Sequence, residues 1–479
     1  MSSPPENPAT SSPTSSPTVP DDASALSGLL DGVESAPKRT PLGHWVDRYF
    51  QVTAKGSNFR TEILAGASTY LALSYIFVVN PAVLAEAGIN TSVSLFATIV
   101  ISAVATLAMG LWARLPFVVS TGLEMNSYVA FFAVGTLGFA WQSALGMVFW
   151  SGVLMVVATL TNLRERIIDG IPESLKVGLS CTVGVFIVLV ALVVSGIVSY
   201  GKVTVSGIGS FVSPSALALY VSLAFALALT RLKVPGALLL TILLTSGLYQ
   251  LCAANGWLGV TPTEAAAPSL SSEMFQGVFA FDLTVLFDPR AISVILVLFI
   301  LDFYGSIAKL IGLTLNTSVL DNGKLTRRRQ ALLVDGTGTA GAAGLGTTSV
   351  VAFVESAVGI GMGARTGLTA VVAGLLMAVT FVAFPLVQYV PVAATAGVLA
   401  YVGVRLWPTR AQFAGFTRAE SAAVIAMALI TVATFTIDRA MLAGFAIIAV
   451  ASFVRTRRLN WVLVASALLL AFSVALQLI

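Results

Sequence analysis

Charge and histidine are scarce in this sequence of 479 residues, and each scarcity narrows the classes of protein that it can encode. Only 10% of the residues are charged, whereas a soluble domain has about 25%. The one histidine, His44, precedes the first long apolar run, which excludes a histidine metal site or proton relay beyond it. The two cysteines, Cys181 and Cys252, lie in apolar segments without the spacing of a metal site or a disulfide framework. Most of the surface must therefore face lipid.

Apolar runs of about 20 residues recur from Glu62 onwards, and each is long enough to cross a bilayer core of about 30 Å. They predict an all-α polytopic membrane protein with about fourteen transmembrane helices, called spans here and numbered in chain order. The predicted spans cover residues 62–84, 92–112, 116–136, 141–160, 172–198, 213–231, 234–252, 291–314, 330–345, 347–363, 366–389, 391–407, 420–437 and 440–454. Whether the C-terminal apolar segment, 456–479, also crosses the membrane is left open.

Lysine and arginine follow every even-numbered span, as at Arg114 after the second and Arg365 after the tenth. Because basic residues accumulate in cytoplasmic loops, we expect a cytoplasmic N-terminus and an extracellular loop at 253–290. Residues 1–45 are rich in Ser, Pro and Thr near their start, and we expect a disordered cytoplasmic tail there.

Two stretches share one spacing of proline and glycine. Pro172 is followed by glycine after five residues and again after five more, and the same spacing follows Pro391. The first stretch opens the fifth span and the second opens the twelfth, and seven spans per repeat would invert the second copy. This spacing predicts two inverted seven-span repeats, at 58–252 and 291–455, as in many secondary transporters.

The third and tenth spans are interrupted by small polar residues, which indicates broken helices around a binding site near the membrane midplane. Ionisable residues inside spans are candidates for function, although a structural ion pair is the alternative for each. Lys309 follows Asp302 on the same helical face, and either this pair or a pair between Lys309 and a glutamate would be structural. The candidate residues are Thr121, Glu124, Asn126, Asp302, Lys309, Thr348, Ser349 and Glu355.

The runs TEILAGASTYLALSYIFVVNPAVLAEAGI in the first span and LGTTSVVAFVESAVGIGMGARTGLTAVVAGLL at 345–376 resemble the AzgA-like purine permeases of the nucleobase–cation symporter group. The resemblance covers about residues 58–455. It implies a core domain and a gate domain, with spans one, three, eight and ten lining the site. It also implies that Glu355 is the substrate-binding acid of the tenth span and that Asn126 is the polar residue of the third-span motif.

The sequence departs from that family pattern at three positions. The third-span motif resembles GMGLNAY but reads GLEMNSY, so that Glu124 replaces a glycine. The eighth-span motif resembles VDxFDTxGT but reads LDFYGSIAK, so that Gly305 replaces the second acid and Lys309 a threonine. In one interpretation Glu124 takes over the lost carboxylate role; in the other Lys309 recruits an anionic purine or another anion.

The leading hypothesis is secondary active uptake of purine nucleobases across a cell membrane, with Glu355, Asn126, Glu124, Thr121, Thr348 and Ser349 binding the base. Carboxylates accept hydrogen bonds from ring N–H groups and can take up the coupling proton, and Asp302 and Lys309 would set the charge of the site. The alternatives are an anion transporter on the same fold and a purine-binding membrane sensor. We expect no enzyme activity, cofactor or metal, because the sequence has no nucleotide-binding loop, metal-ligand cluster or nucleophile–base pair. The glycine-rich run at 336–346 lies in an apolar span and lacks a phosphate-binding lysine. We also expect no nucleic-acid partner. A homodimer is compatible with the sequence.

Overall fold

The structure is a computed structural model that describes residues 41–163, 172–200, 205–257, 272–314, 327–382, 390–458 and 460–476. Residues 1–40 of the predicted tail lie outside the described residues. The chain divides into two compact units, Met1–Tyr49 and Phe50–Ile479. A helix absent from the sequence prediction, Pro41–Phe50, includes the last residues of that tail, and the rings of Trp45 and Tyr49 stack within it. All spans belong to the second unit.

Eight helices among the described residues are long and apolar enough to cross a membrane, and they coincide with predicted spans 1, 2, 4–8 and 14. Span 1 is interrupted after Leu73, and span 2 ends in a π-helical turn. The eight helices are Phe59–Ala85, Thr91–Ala113, Trp141–Leu160, Glu173–Val194, Pro214–Arg231, Ala237–Ala254, Pro289–Ser306 within the longer helix Pro289–Thr314, and Ile437–Thr456.

The other six predicted spans are shorter, broken or, in span 9, less apolar. Spans 9, 11, 12 and 13 are the helices Arg328–Leu345, Gly367–Val379, Val392–Arg405 and Arg418–Thr434. Four short strands, β1 to β4, cover Val119–Thr121, Val198–Tyr200, Val205–Ile208 and Val350–Ala352. In span 3, β1 is followed by the helix Leu123–Ser127 and the π-helical segment Tyr128–Val134, and in span 10, β4 is followed by the helix Ser356–Gly361. The predicted breaks in these two spans are thus present.

Several elements outside the spans are absent from the sequence prediction. Strands β2 and β3 form an antiparallel hairpin after span 5. The predicted outer loop contains two 3₁₀ turns, Ser272–Phe275 and Leu283–Phe287, and a short helix, Arg410–Ala414, follows span 12. All are shorter than the windows in which hydrophobic periodicity is readable.

The C-terminal apolar segment forms the helix Trp461–Leu476, which packs along span 8. The hydroxyls of Tyr304 and Ser466 lie 2.8 Å apart, and the Ser473 hydroxyl donates to the Ser293 carbonyl at 3.1 Å. The residue with the higher number in span 8 contacts the residue with the lower number in the C-terminal helix, so the two helices are antiparallel. With a rise of about 1.5 Å per residue, this helix extends along most of span 8.

The repeated glycines make equivalent contacts in the two halves of the chain. A Cβ atom added to Gly403 would lie 2.6 Å from the carbonyl oxygen of Gly184, and one added to Gly184 would meet the carbonyl of Gly403. Gly178 of span 5 faces Met427 of span 13, and Gly397 of span 12 faces span 6. If span 5 is matched with span 12 and span 6 with span 13, the contact between spans 5 and 13 corresponds to the contact between spans 12 and 6. Two inverted repeats require this correspondence.

Helix packing separates the spans into two groups. Spans 5, 6, 7, 12, 13 and 14 pack against one another, and this group is the gate domain of the prediction. Spans 1, 2, 4, 8, 9 and 11 pack around the broken spans 3 and 10, and this group is the core domain. The predicted fold class is confirmed.

We expect Gly403→Val to destabilise the gate domain, because its side chain would overlap the Gly184 backbone of span 5. Overpacking of this kind costs about 1–3 kcal/mol. The measurement is the thermal denaturation midpoint of the full chain in detergent. Gly247→Val is the matched control, since a Cβ atom at Gly247 would meet no atom within 4 Å. Equal midpoints for the two variants would contradict the reciprocal packing.

Candidate functional site

The extended parts of spans 3 and 10 pair with each other at the centre of the core domain. Strand β1 runs antiparallel to β4, with Ser120 opposite Val351. All residues of both strands are buried. The pair continues at both ends, where the Gly122 N–H donates to the Ser349 carbonyl and the Phe353 N–H to the Val118 carbonyl. Two broken spans thus supply each other with backbone partners that a membrane interior does not offer.

Two threonines bond the first residues of these strands in the same way in each repeat. The Thr106 hydroxyl of span 2 accepts from the Val119 N–H at 2.9 Å and donates to its carbonyl at 2.8 Å. The Thr339 hydroxyl of span 9 makes the same two contacts with Val350, at 3.2 and 3.3 Å. These contacts are a second sign of the inverted repeat, and they hold both strands in the core domain.

Glu355 lies directly after the extended part of span 10, at the N-cap of the helix Ser356–Gly361. Its Oε1 atom accepts a hydrogen bond of 2.9 Å from the hydroxyl of Tyr75, which is buried at the interruption of span 1. Its Oε2 atom is enclosed and has no hydrogen-bond partner among the described residues. One oxygen of the predicted substrate-binding acid is therefore fixed in place and the other is available to a ligand.

Glu124 forms an ion pair with Lys309 between spans 3 and 8. Their side chains are only 12% and 19% exposed, so the pair is largely removed from water. The Lys309 ammonium also lies 5.9 Å from the centroid of the Phe353 ring, within the range of a cation–π contact. Of the two structural pairings considered for Lys309, the structure places it with a glutamate and not with Asp302.

Asp302 of span 8 is fully buried and accepts hydrogen bonds from three hydroxyls. Ser306 and Ser349 donate to it at 2.9 and 3.0 Å, and Thr339 at 3.1 Å. The Ser349 side chain, predicted to bind substrate, is thus directed at Asp302. These contacts tie span 8 to spans 9 and 10.

Asn126, also predicted to bind the base, belongs to a buried polar cluster. Its amide donates to the side-chain oxygen of Asn80, and the Asn80 amide donates to Thr98 at 2.6 Å and to Thr347 at 3.0 Å. This cluster joins spans 1, 2, 3 and 10. The side-chain oxygen of Asn126 has no partner among the described residues, and the same holds for the hydroxyls of Thr121 and Thr348. All three residues are fully buried, and none of them borders the two cavities that reach this site.

Two cavities reach this site. The central cavity, about 330 Å³, lies between spans 5 and 8 and is bordered by Glu124, Lys309 and Gly305. The vestibule, about 770 Å³, is bordered by Glu355 at one end and by Lys233 and Arg405. Pockets for small ligands have volumes of about 300–1,000 Å³. Val354, Ala357 and Leu406 border both cavities, which therefore adjoin.

Sequence reasoning missed two residues of this site. Lys176 of span 5 borders the central cavity, and Tyr75 binds Glu355. Lys176 is ionisable and lies within the predicted fifth span, so the rule applied to Glu124 could have found it. No sequence signal links Tyr75 to Glu355, because their contact joins residues 280 positions apart.

The family described as "Permease family" matches residues 60–437, which include every candidate site residue. The chain belongs to this permease family. This permease is 32% identical to the adenine permease AdeP of Escherichia coli, over 84% of its own length and 88% of AdeP. It is 32% identical to the guanine/hypoxanthine permease PbuO of Bacillus subtilis, over 71% of its own length and 78% of PbuO.

Among solved structures, the permease is similar to the transmembrane domain of the cyanobacterial bicarbonate transporter BicA. The TM-score is 0.60 at 15% sequence identity, over 80% of this chain and 97% of that one. The similarity shows the fold of two inverted seven-span repeats. The family and the permeases similar to this chain, together with this fold, make it a multi-pass membrane transporter and not an enzyme.

We expect Thr106→Val to destabilise the permease, because it removes both hydrogen bonds to the buried backbone of Val119. An unsatisfied buried polar group costs about 1–3 kcal/mol. Thr339→Val should also destabilise the permease, because it removes the contacts with Val350 and the hydrogen bond to Asp302. Thermal denaturation of the full chain measures both, with Thr456→Val as control at an exposed helix end. If all three variants unfold at the wild-type temperature, the strands do not depend on these threonines.

Proposed function

We propose that this permease carries purine nucleobases or close analogues into the cell, with protons as the coupling ion. The proposal rests above all on the carboxylate of Glu355, which has a hydrogen-bond donor on only one of its two oxygens. Tyr75 fixes one oxygen, and the other lies without a partner beside the vestibule. A carboxylate in this arrangement accepts a hydrogen bond from a ring N–H group. A purine base offers such groups at its edges, and the same carboxylate can bind the coupling proton.

The names of the relatives support the base as substrate. AdeP is an adenine permease and PbuO a guanine/hypoxanthine permease, and this chain spans most of each. The two relatives differ in the base that they carry. Their names therefore favour a purine nucleobase as the substrate class without selecting one base.

The ion pair of Glu124 and Lys309 argues against Lys309 as the residue that recruits an anion, although Lys176 also borders the central cavity. The charge of Lys309 is offset by a directly bonded carboxylate, so this lysine does not present an uncompensated positive charge to the cavity. Lys309 is then available as a hydrogen-bond donor, and Glu124 as an acceptor, for a base edge that carries both kinds of group. This arrangement supports the interpretation in which Glu124 takes over the lost carboxylate role.

The proposal includes a topology and a domain organisation. We place the N-terminal tail, 1–45, in the cytoplasm and the loop 253–290 outside, because Lys and Arg follow the even-numbered spans. The two repeats are 58–252 and 291–455, followed by the C-terminal segment 456–479. The membrane is the plasma membrane or a bacterial inner membrane, and a homodimer stays a prediction from the sequence.

The direct test is uptake of radiolabelled hypoxanthine, guanine, adenine, xanthine and urate in cells that lack their own purine carriers. We expect saturable uptake of at least one neutral base, and we expect a protonophore to abolish it. Glu355→Gln should lower the uptake efficiency roughly 10- to 100-fold, because hydrogen bonds to a charged group contribute about 1.5–3 kcal/mol.

Glu86→Gln is the matched control, since Glu86 is an exposed glutamate at the end of span 1. Uptake of urate alone, with none of the neutral bases, would replace the proposal by the anion alternative. Unchanged affinity and transport in Glu355→Gln would remove Glu355 from the site.

The ion pair of Glu124 and Lys309 should behave as one unit. Glu124→Gln and Lys309→Met each leave a poorly solvated charge without its partner, and breaking a buried pair costs about 3–5 kcal/mol. The double substitution removes both charges, so we expect it to be more stable than either single variant. A double-mutant cycle on thermal stability measures the coupling.

The exposed pair of Arg290 and Asp288, 3.5 Å apart, is the control for this cycle. Its side chains are 51% and 33% exposed, and pairs of this kind contribute about 0–1 kcal/mol. Additive effects at Glu124 and Lys309, as at the control pair, would show that the two charges are independent.

A further inference from the structure

The central cavity has a polar end and an apolar end. One face of span 8 borders it with residues four positions apart, which places Leu301, Gly305, Lys309 and Leu313 in one row. One face of span 5 borders it with Lys176, Leu179, Ser180 and Val183. The two spans run in opposite directions, since they are three spans apart. The order from Lys176 to Val183 along span 5 therefore runs in the same direction as the order from Lys309 to Leu301 along span 8.

Gly305 leaves space at the apolar end. A Cβ atom at this position would meet no atom of the described residues within 4 Å, whereas one at Gly178 or Gly184 would meet a neighbouring helix. Gly305 has no positive φ and ends no helix. A glycine inside a helix is destabilising relative to alanine, and neither close packing nor backbone geometry explains this one. The unfilled volume beside it belongs to the central cavity.

Most of the side chains around this volume are apolar. Leu301 lies one helical turn before Gly305, and Leu179 and Val183 border the same cavity from span 5, together with the hydroxyl of Ser180. The hydroxyl of Tyr304, which also borders the cavity, is occupied by Ser466 at 2.8 Å. A ring N–H directed here would exchange water for apolar side chains and lose a hydrogen bond. An alkyl group would lose none and would bury its surface.

We infer that the apolar end at Gly305 holds an alkyl substituent on the ring of the substrate, and that the permease prefers purines methylated on a ring nitrogen over the parent base. The inference rests on the proposed function, because the polar end must hold the purine itself. Lys309 and Glu124 bind the unsubstituted edge, one helical turn away from Gly305. The methyl group then points past Gly305 towards Leu301.

The test compares hypoxanthine with its N1-, N3-, N7- and N9-methyl derivatives by equilibrium binding to the purified full chain. Burial of one methyl group corresponds to about fourfold tighter binding. We expect at least one isomer to bind about three- to fivefold more tightly than hypoxanthine. Gly305→Leu should abolish that preference, because its side chain fills the same volume.

Gly305→Ala is the second variant, in case the leucine variant does not fold. The structure has room for its Cβ atom, and we expect it to reduce the preference in part. Gly247→Leu is the control for a large side chain at another unoccupied helical glycine, and it should keep the full preference.

Two outcomes separate this inference from the function on which it rests. If hypoxanthine binds and every methylated isomer binds more weakly, the apolar subsite is wrong and the proposed function stands. If no purine binds, with or without a methyl group, the proposed function and the inference fail together. A preference that survives Gly305→Leu would place the methyl group elsewhere in the cavity.

Discussion

The site depends on one constraint, the need of every backbone polar group inside a membrane for a partner. The first parts of spans 3 and 10 are extended and make no helical hydrogen bonds. Strands β1 and β4 meet this need by pairing with each other. Thr106 and Thr339 complete the bonding from the neighbouring helices. Because the pairing fixes the register of the two strands, it also fixes where the following residues lie. Glu124 and Glu355 follow the strands closely and are thereby brought to one place in the core domain.

The buried acids of the core domain have different numbers of hydrogen-bond donors. Asp302 receives three hydroxyl donors, and Glu62 accepts from the Arg365 N–H and the Thr369 hydroxyl across the ends of spans 1 and 11. These two carboxylates hold helices together. Glu355 has a single donor from a side chain and an oxygen without a hydrogen-bond partner among the described residues, so it keeps capacity for a ligand.

Hydropathy, basic loops and glycine spacing predicted the spans and their inverted repeat, because these properties follow from local composition. Polar interruptions also predicted which two spans are broken. Contacts between distant residues were not predictable in this way, and they decide the roles of Asn126 and Ser349, which bond to Asn80 and Asp302. The long run at 345–376 shows that a sequence match does not tell binding residues from packing residues. Its first half contributes Glu355 to the site, whereas Arg365 and Thr369 in its second half bind Glu62.

The ion pair at the site has a consequence for movement across the membrane. Glu124 and Lys309 both belong to the core domain, whereas Lys176 faces them from the gate domain across the central cavity. The vestibule reaches Glu355 from the side of Lys233 and Arg405, the predicted cytoplasmic side. Access from the other side requires the core and gate domains to shift, since the cavity lies between them. A charge that crosses the membrane potential costs about 2.3 kcal/mol per 100 mV. If the core domain carried Glu124 alone across this potential, it would move one such charge, and Lys309 cancels that charge because both residues belong to the same domain.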